Sequence, residues 1–226
     1  MADAIGQVLS LGVGVAISPI PIIAVVLMLA TPHGRVNGPA FLGGWLLGLA
    51  AVGTVVLVAS NGADPTDADD APATWASWLK IALGLLLVSV AVKEWRGRPR
   101  GDEEGTLPKW MRSIDTFTPG RAVAMGVALS AINPKNLLLT VGAAAAISQA
   151  GASTGADAVA LAVFVVIGTL GPAAPVLISL FVGAKARTIL DELKVWMGTH
   201  NAAIMAVLCL VIGAKLAGDG ISGLGS

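Results

Sequence analysis

Residues 122–147 read AVAMGVALSAINPKNLLLTVGAAAAI, an apolar run interrupted at its centre by Asn133-Pro134-Lys135-Asn136. The run is long enough to cross a bilayer, which takes ~20 apolar residues. A helix that begins near Arg121 carries Lys135 roughly 21 Å along its axis at ~1.5 Å per residue. That is close to the middle of a hydrocarbon core about 30 Å thick. An ammonium at that depth costs at least ~2.5 kcal/mol. Pro134 removes a backbone donor and disfavours a straight helix. A cation beside a helix break at mid-membrane points to a transport or lipid-headgroup site before it points to packing.

The rest of the chain agrees with a membrane setting. Only 12% of its 226 residues are charged, against about 25% in soluble domains, and the mean hydropathy is +0.82. The 28 Gly and 12 Pro fit membrane helices, which tolerate both and use small residues for close approach. Six stretches are apolar enough to span: Ala4–Ala30, Pro39–Ala59, Trp75–Val92, Ala122–Ile147, Ala158–Val182 and Ala202–Ala217. The first, fourth and fifth are overlong and hold internal prolines (Pro19 and Pro21; Pro134; Pro172 and Pro175), which predicts broken or tilted helices. The expected fold is therefore an all-α integral membrane protein of six transmembrane helices. Repeat 1 covers residues 1–95, a basic loop 96–118, and repeat 2 residues 119–226. The first segment lacks a basic n-region, carries Asp3 and is too long for a cleavable signal peptide.

Charge fixes the expected sidedness. Lys93, Arg96, Arg98, Arg100, Lys109, Arg112 and Arg121 cluster after the third stretch; Arg35, Lys185, Arg187 and Lys194 fall on the same side. The opposite side receives only Lys80 and Lys215, near helix ends where long side chains snorkel. The positive-inside rule then puts loop 96–118 in the cytoplasm and both termini outside. Loop Asn61–Thr74, with Asp64, Asp67, Asp69 and Asp70, faces out. Trp75 and Trp78 fit the outer interface, and Trp95, Trp110 and Trp196 the inner one. The GRPRGDEEG stretch of the central loop reads as flexible, with basic neighbours able to attract anionic lipid heads.

An internal repeat supports the three-plus-three division. GVAISPIP (14–21) and GVALSAIN (126–133) agree at five of eight positions. Each segment opens a group of three helices and holds a proline break at mid-span. Under the charge-derived topology they run in opposite directions, which makes the repeat inverted, as in many secondary transporters. In such folds the site lies where broken helices meet and unwound backbone offers free N–H and C=O groups. The candidate site is therefore Lys135 with Ser18, Pro19, Pro21, Ser130, Asn133, Pro134 and Asn136. Lys135 would bind an anionic group; Asn133, Asn136, Ser18 and Ser130 would hydrogen-bond the remainder. No Asp or Glu lies in a span core, so the partner of Lys135 is a carbonyl, water or a ligand anion. Pro172 and Pro175 are hinge or gate candidates.

Several chemistries are excluded. Cys209 is the one cysteine, so no disulfide and no thiolate metal site forms. His33 and His200 stand far apart, and no HExxH, Gly-x-Ser-x-Gly or phosphate loop occurs. No metal, no cofactor and no catalytic set is expected, and zero net charge gives no sign of nucleic acid. The Gly44/Gly48 spacing reads as helix contact, or as one face of a homodimer.

The three-plus-three helices, the short GVAISPIPI and SAINPKN breaks and the basic central loop resemble the LysE superfamily of small exporters. Within it the chain is most similar to the actinobacterial family of peptidoglycolipid and sulfolipid addressing proteins. The resemblance covers nearly the whole chain. It implies a plasma-membrane protein that helps move glycolipids or other envelope lipids toward the surface, alongside larger lipid transporters. Competing expectations are an amino-acid or small-solute exporter of the same superfamily, and a non-transporting scaffold for a larger lipid exporter.

Overall fold

The computed structural model describes residues 2–61, 71–98, 109–150 and 152–224. Among them the chain forms eight α-helices and no strand: α1 Ala2–Ala16, α2 Pro19–Leu29, α3 Gly34–Asn61, α4 Ala71–Arg96, α5 Pro119–Val127, α6 Pro134–Gln149, α7 Thr154–Phe181 and α8 Ala186–Leu224. Three of them (α3, α7 and α8) are long and apolar enough to cross a membrane. The count rises to five when α1 with α2, and α5 with α6, are each taken as one bent span. Large apolar side chains such as Leu47, Val55, Leu85 and Val166 stand exposed on the helix surfaces, which suits contact with acyl chains. The protein is a multi-pass membrane protein.

Both bent pairs break by the same local rule. Ser18 (φ −99°, ψ 107°) and Asn133 (φ −60°, ψ 120°) are extended, and each precedes a proline that opens the next helix. Proline disfavours helical backbone in the residue before it, and at the first helical position its missing N–H costs nothing. The axes bend by 45° at Ser18 and by 64° at Asn133. Pro21 lies inside the first turn of α2, where N–H groups have no intrahelical partner anyway, so it adds no second break. On the approach to Asn133 the chain widens into a π turn over Ala128–Ile132, and Asn133 N–H donates to Ala128 O at 3.2 Å.

The expected break in the fifth stretch is absent. α7 runs unbroken through Pro172 and Pro175. Pro172 cannot donate to Gly168 O, and the buried Trp45 indole of α3 donates to that carbonyl instead (3.3 Å). A side chain from a neighbouring helix thus satisfies the freed group. Gly183 (φ 68°) follows α7 in the left-handed conformation that ends many helices.

The sixth stretch is longer than expected. α8 has 39 residues, about 58 Å at ~1.5 Å per residue, and it includes Arg187 and Lys194, which lie before the expected Ala202–Ala217 stretch. Polar Thr199 and His200 look like a boundary in sequence, yet no proline interrupts the helix. Pairs spaced for helix, Lys194–Asp191 (3.3 Å) and Lys215–Asp219 (2.9 Å), lie toward its two ends. Ala71–Thr74 belong to α4, and Asp64, Asp67, Asp69 and Asp70 lie outside the described residues. So does most of GRPRGDEEG, while Lys109–Thr116 form a 3-10 helix that buries Met111 and Ile114. That part of the central loop is ordered by packing, and Asn37 Nδ2 donates to Phe117 O beside it (2.8 Å).

Glycine sets how closely the helices approach. A Cβ on Gly44 would strike Val123 O, one on Gly48 would strike Ser130 Oγ, and one on Gly126 would meet Phe41 O. The Gly44/Gly48 face is therefore filled by the chain's own α5 and π turn, and it is not free as a dimer contact. The helix-contact half of that expectation holds.

Candidate functional site

The two breaks meet inside the bundle. α1 stops at Ala16, so its last carbonyls have no helical N–H ahead of them. Val13 O still accepts from Ile17 N–H in the ordinary helical pattern (3.0 Å), but the carbonyls after it turn to side chains. Val15 O accepts from Ser18 Oγ (2.8 Å). Gly14 O accepts from Lys135 Nζ at 2.7 Å. Lys135 is 2% exposed. It sits in the first turn of α6, where a cation opposes the helix dipole, but its side chain delivers the charge to the C-terminus of α1, where the dipole favours it. The ammonium thereby ties the start of one half-helix to the end of another, 121 residues away.

A second link runs beside it. Asn136, fully buried, donates from Nδ2 to Leu129 O (2.9 Å) and presents Oδ1 to Ser18 Oγ (3.0 Å). Ser18 has one hydroxyl hydrogen, so Val15 O and Asn136 Oδ1 compete for it. Leu129 O belongs to the π turn, where Pro134 has removed a donor. Asn133 caps α6 by accepting from Lys135 N–H (3.1 Å), as its short amide side chain is suited to do. Thr140 Oγ1 closes the layer on Asn136 O (2.8 Å).

The structure therefore brings together Lys135, Asn136, Ser18 and Asn133, with buried Pro19 and Pro21 beside them. Ser130 is also fully buried, but it donates to Val127 O (3.1 Å) and faces Gly48 of α3. Pro134 is exposed on its outer side. Pro172 and Pro175 are buried in α7, next to the close approach of Gly171 to Ala16 O. Sequence reasoning missed Gly14, whose contribution is a carbonyl and so leaves no side-chain signal. It also missed Trp45, because only the fold sets its indole opposite the carbonyl that Pro172 frees. Cys209 of α8 is buried and lies within electrostatic reach of Lys135. Among the described residues no group of three His, Cys, Asp or Glu could hold a metal.

Two apolar clefts flank α1, one of about 470 Å³ beside Val8 and Leu9 toward α7 and one of about 420 Å³ along Leu9 to Gly14 toward α8. Lys135 lines neither, but Gly14 lines the second. The ammonium thus sits one backbone layer behind an apolar cleft.

Compared with known proteins, the chain matches the family described as Sap, sulfolipid-1-addressing protein, over residues 8–222. It belongs to that family. The match runs through both breaks and all eight helices. Membership implies involvement in lipid addressing and transport, and the family is not a known enzyme family. No curated protein and no solved structure matches the chain.

Proposed function

We infer that this chain is a transporter or transport facilitator for a cell-envelope (glyco)lipid or another anionic, polar-headed molecule, built on the LysE-superfamily plan in the plasma membrane. One observation carries the reading: a buried ammonium, without an acidic partner among the described residues, holds the two helix breaks together through the neutral Gly14 carbonyl. A ligand anion competes well for such a cation, because a charge-assisted pair is stronger than a bond to a neutral acceptor. Displacing Gly14 O would unfasten α6 from α1. The two halves could then rock about the crossing, with Asn133, Asn136 and Ser18 turning from each other to the headgroup. Ser130, packed on Gly48, would stay as a fixed wall, and Pro172 and Pro175 would let α7 flex.

Packing supports two inverted repeats of three spans. Gly126 of α5 faces Phe41 O of α3, and Gly12 of α1 faces Phe164 O of α7. Gly48 faces Ser130, and Gly171 faces Ala16. Phe41 stands to Phe164 as Gly48 stands to Gly171, and Gly12 stands to Gly126 as Ala16 stands to Ser130. The two pairs of contacts are thus images of one another. Gly84 of α4 and Gly213 of α8 face each other's carbonyls, as residues on a pseudo-two-fold axis would. This register is two residues away from the one the GVAISPIP/GVALSAIN likeness indicates. The π turn, which adds about one residue per occurrence, then brings Pro19 opposite Pro134. In this reading the basic loop is cytoplasmic and both termini are outside.

Apolar clefts open at the helix surface favour a lipid over an amino acid. The test is translocation of a fluorescent anionic lipid in proteoliposomes holding the purified chain. The wild-type protein should accelerate flipping, and Lys135→Met should abolish the acceleration. Equal rates for the two would refute the assignment. Wild-type protein without activity, combined with loss of function in cells on deleting residues 97–106, would favour the scaffold.

A further inference from the structure

The cleft between α1 and α8 has a charged mouth. Its walls are Leu9 and Val13 from α1 and Val211 and Ile212 from α8, with Gly14 at the floor. Lys215 and Asp219 line one end and are paired at 2.9 Å. Lys80 of α4 lies within electrostatic reach of both. Among the described residues this end of the cleft thus sets two ammonium groups, Lys215 on the lining and Lys80 near it, against the Asp219 carboxylate. These are the two cations that the sequence places on the side away from the basic loop. Elsewhere that side is predicted to be acidic or neutral, so their convergence at one cleft is not explained by topology. Val13 and Val211 are exposed (46% and 61%), so the groove is open at its walls to the surrounding acyl chains. Its floor, Gly14, presents its carbonyl to Lys135 on the far side.

We propose that this groove is a binding slot for an anionic lipid, one acyl chain lying between α1 and α8 and the headgroup held by Lys215 and Lys80. The proposal rests on the carrier reading above and gives it a side door. Chain length along the groove is compatible: Leu208 to Asp219 covers about 16 Å at ~1.5 Å per residue. An anionic head matches the net charge of the mouth, and near a membrane surface each such lysine attracts anionic lipid measurably. From the slot the head needs to pass only the Gly14 backbone to reach the Lys135 ammonium.

The test is lipid retention by the purified full-length protein in detergent, read by native mass spectrometry with phosphatidylglycerol and phosphatidylcholine of equal chain length. Wild-type protein should retain phosphatidylglycerol preferentially, by about tenfold. Lys80→Gln with Lys215→Gln should erase the preference. Val211→Trp, which adds bulk at an exposed wall without entering the core, should lower retention of both lipids. Val55→Trp, of equal bulk on the exposed face of α3 (67%), controls for surface effects and should retain lipid as wild type does. Unchanged phosphatidylglycerol retention in the double lysine variant or in Val211→Trp would overturn the slot. The two readings separate cleanly. If slot variants lose lipid while Lys135→Met flips lipid normally, the slot stands and the carrier reading fails. If slot variants keep lipid while Lys135→Met is inactive, the slot fails and the carrier reading stands.

Discussion

Lys135→Met removes the ammonium and keeps most of the stem, so it isolates the charge. Two effects oppose each other. Gly14 O loses a 2.7 Å charge-assisted bond and is left buried without that partner, at a cost of ~1–3 kcal/mol. Against this, the chain no longer holds an ammonium in the bilayer core, which relieves ~2.5–3.5 kcal/mol on insertion scales. The difference lies between about 2.5 kcal/mol of stabilisation and about 0.5 kcal/mol of loss. For a chain of this size ~1 kcal/mol moves the melting temperature by only about 2–4 °C. The variant should therefore insert, run as a single species and melt between about 2 °C below and about 10 °C above wild type, while lipid flipping falls to background. Thermal unfolding in detergent and the liposome assay are read on the same preparation. A drop in melting temperature beyond ~10 °C would mean that the Lys135–Gly14 link is a structural strut whose loss says nothing of transport. A folded, normally active variant would remove the ammonium from the mechanism altogether.

Four further outcomes follow from the geometry. Asn136→Leu leaves Leu129 O unpaired and cuts the link to Ser18; it should lower stability by ~1–3 kcal/mol, seen as a lower melting temperature. Trp45→Phe keeps the packing but strips Gly168 O of its donor, so a loss of ~1–3 kcal/mol is expected; no loss would show that the carbonyl finds another partner. Gly171→Ala drives a methyl group into the Ala16 carbonyl and should cost ~1–3 kcal/mol by overpacking. Pro172→Ala restores an N–H to α7 and removes a residue ~3 kcal/mol poorer than Ala in helices; if Pro172 is a hinge, flipping slows several-fold while the melting temperature holds or rises, and an unchanged rate assigns it to packing alone.

The breaks were legible because proline and its predecessor obey local rules. Ser18-Pro19 and Asn133-Pro134 announce extended backbone followed by a fresh helix start, whatever surrounds them. Lys135 was legible because a charge at mid-run is costly. The path of α7 was not legible, because whether Pro172 breaks a helix depends on Trp45, more than 120 residues earlier. The extent of α8 was not legible either: Thr199 and His200 are weak boundary signals, and the packing of α8 along α4 overrides them. Nor could the sequence say which carbonyl Lys135 would find, since backbone acceptors carry no residue-specific mark. Gly44 and Gly48 were read correctly as a contact face, but spacing alone does not name the partner helix.

The paired contacts carry one more consequence. If Pro19 and Pro134 are equivalent, then Ile20 is the counterpart of Lys135 and Pro21 that of Asn136. The two halves share the geometry of the break but not its chemistry: both offer an interrupted helix, and only the second supplies a cation and an amide. A symmetric scaffold with a one-sided site has a direct mechanical meaning. Under the proposed carrier reading, rocking the halves would exchange which face of the crossing is open, while the single ammonium would stay at the centre and serve both. Were each break charged, two buried ammonium groups would repel across the crossing, and each would need its own carbonyl in every state. In the proposed carrier the apolar Ile20 would let one charge be satisfied by Gly14 when no ligand is present and by a headgroup when one is, which is the minimum a carrier without an intramembrane carboxylate requires.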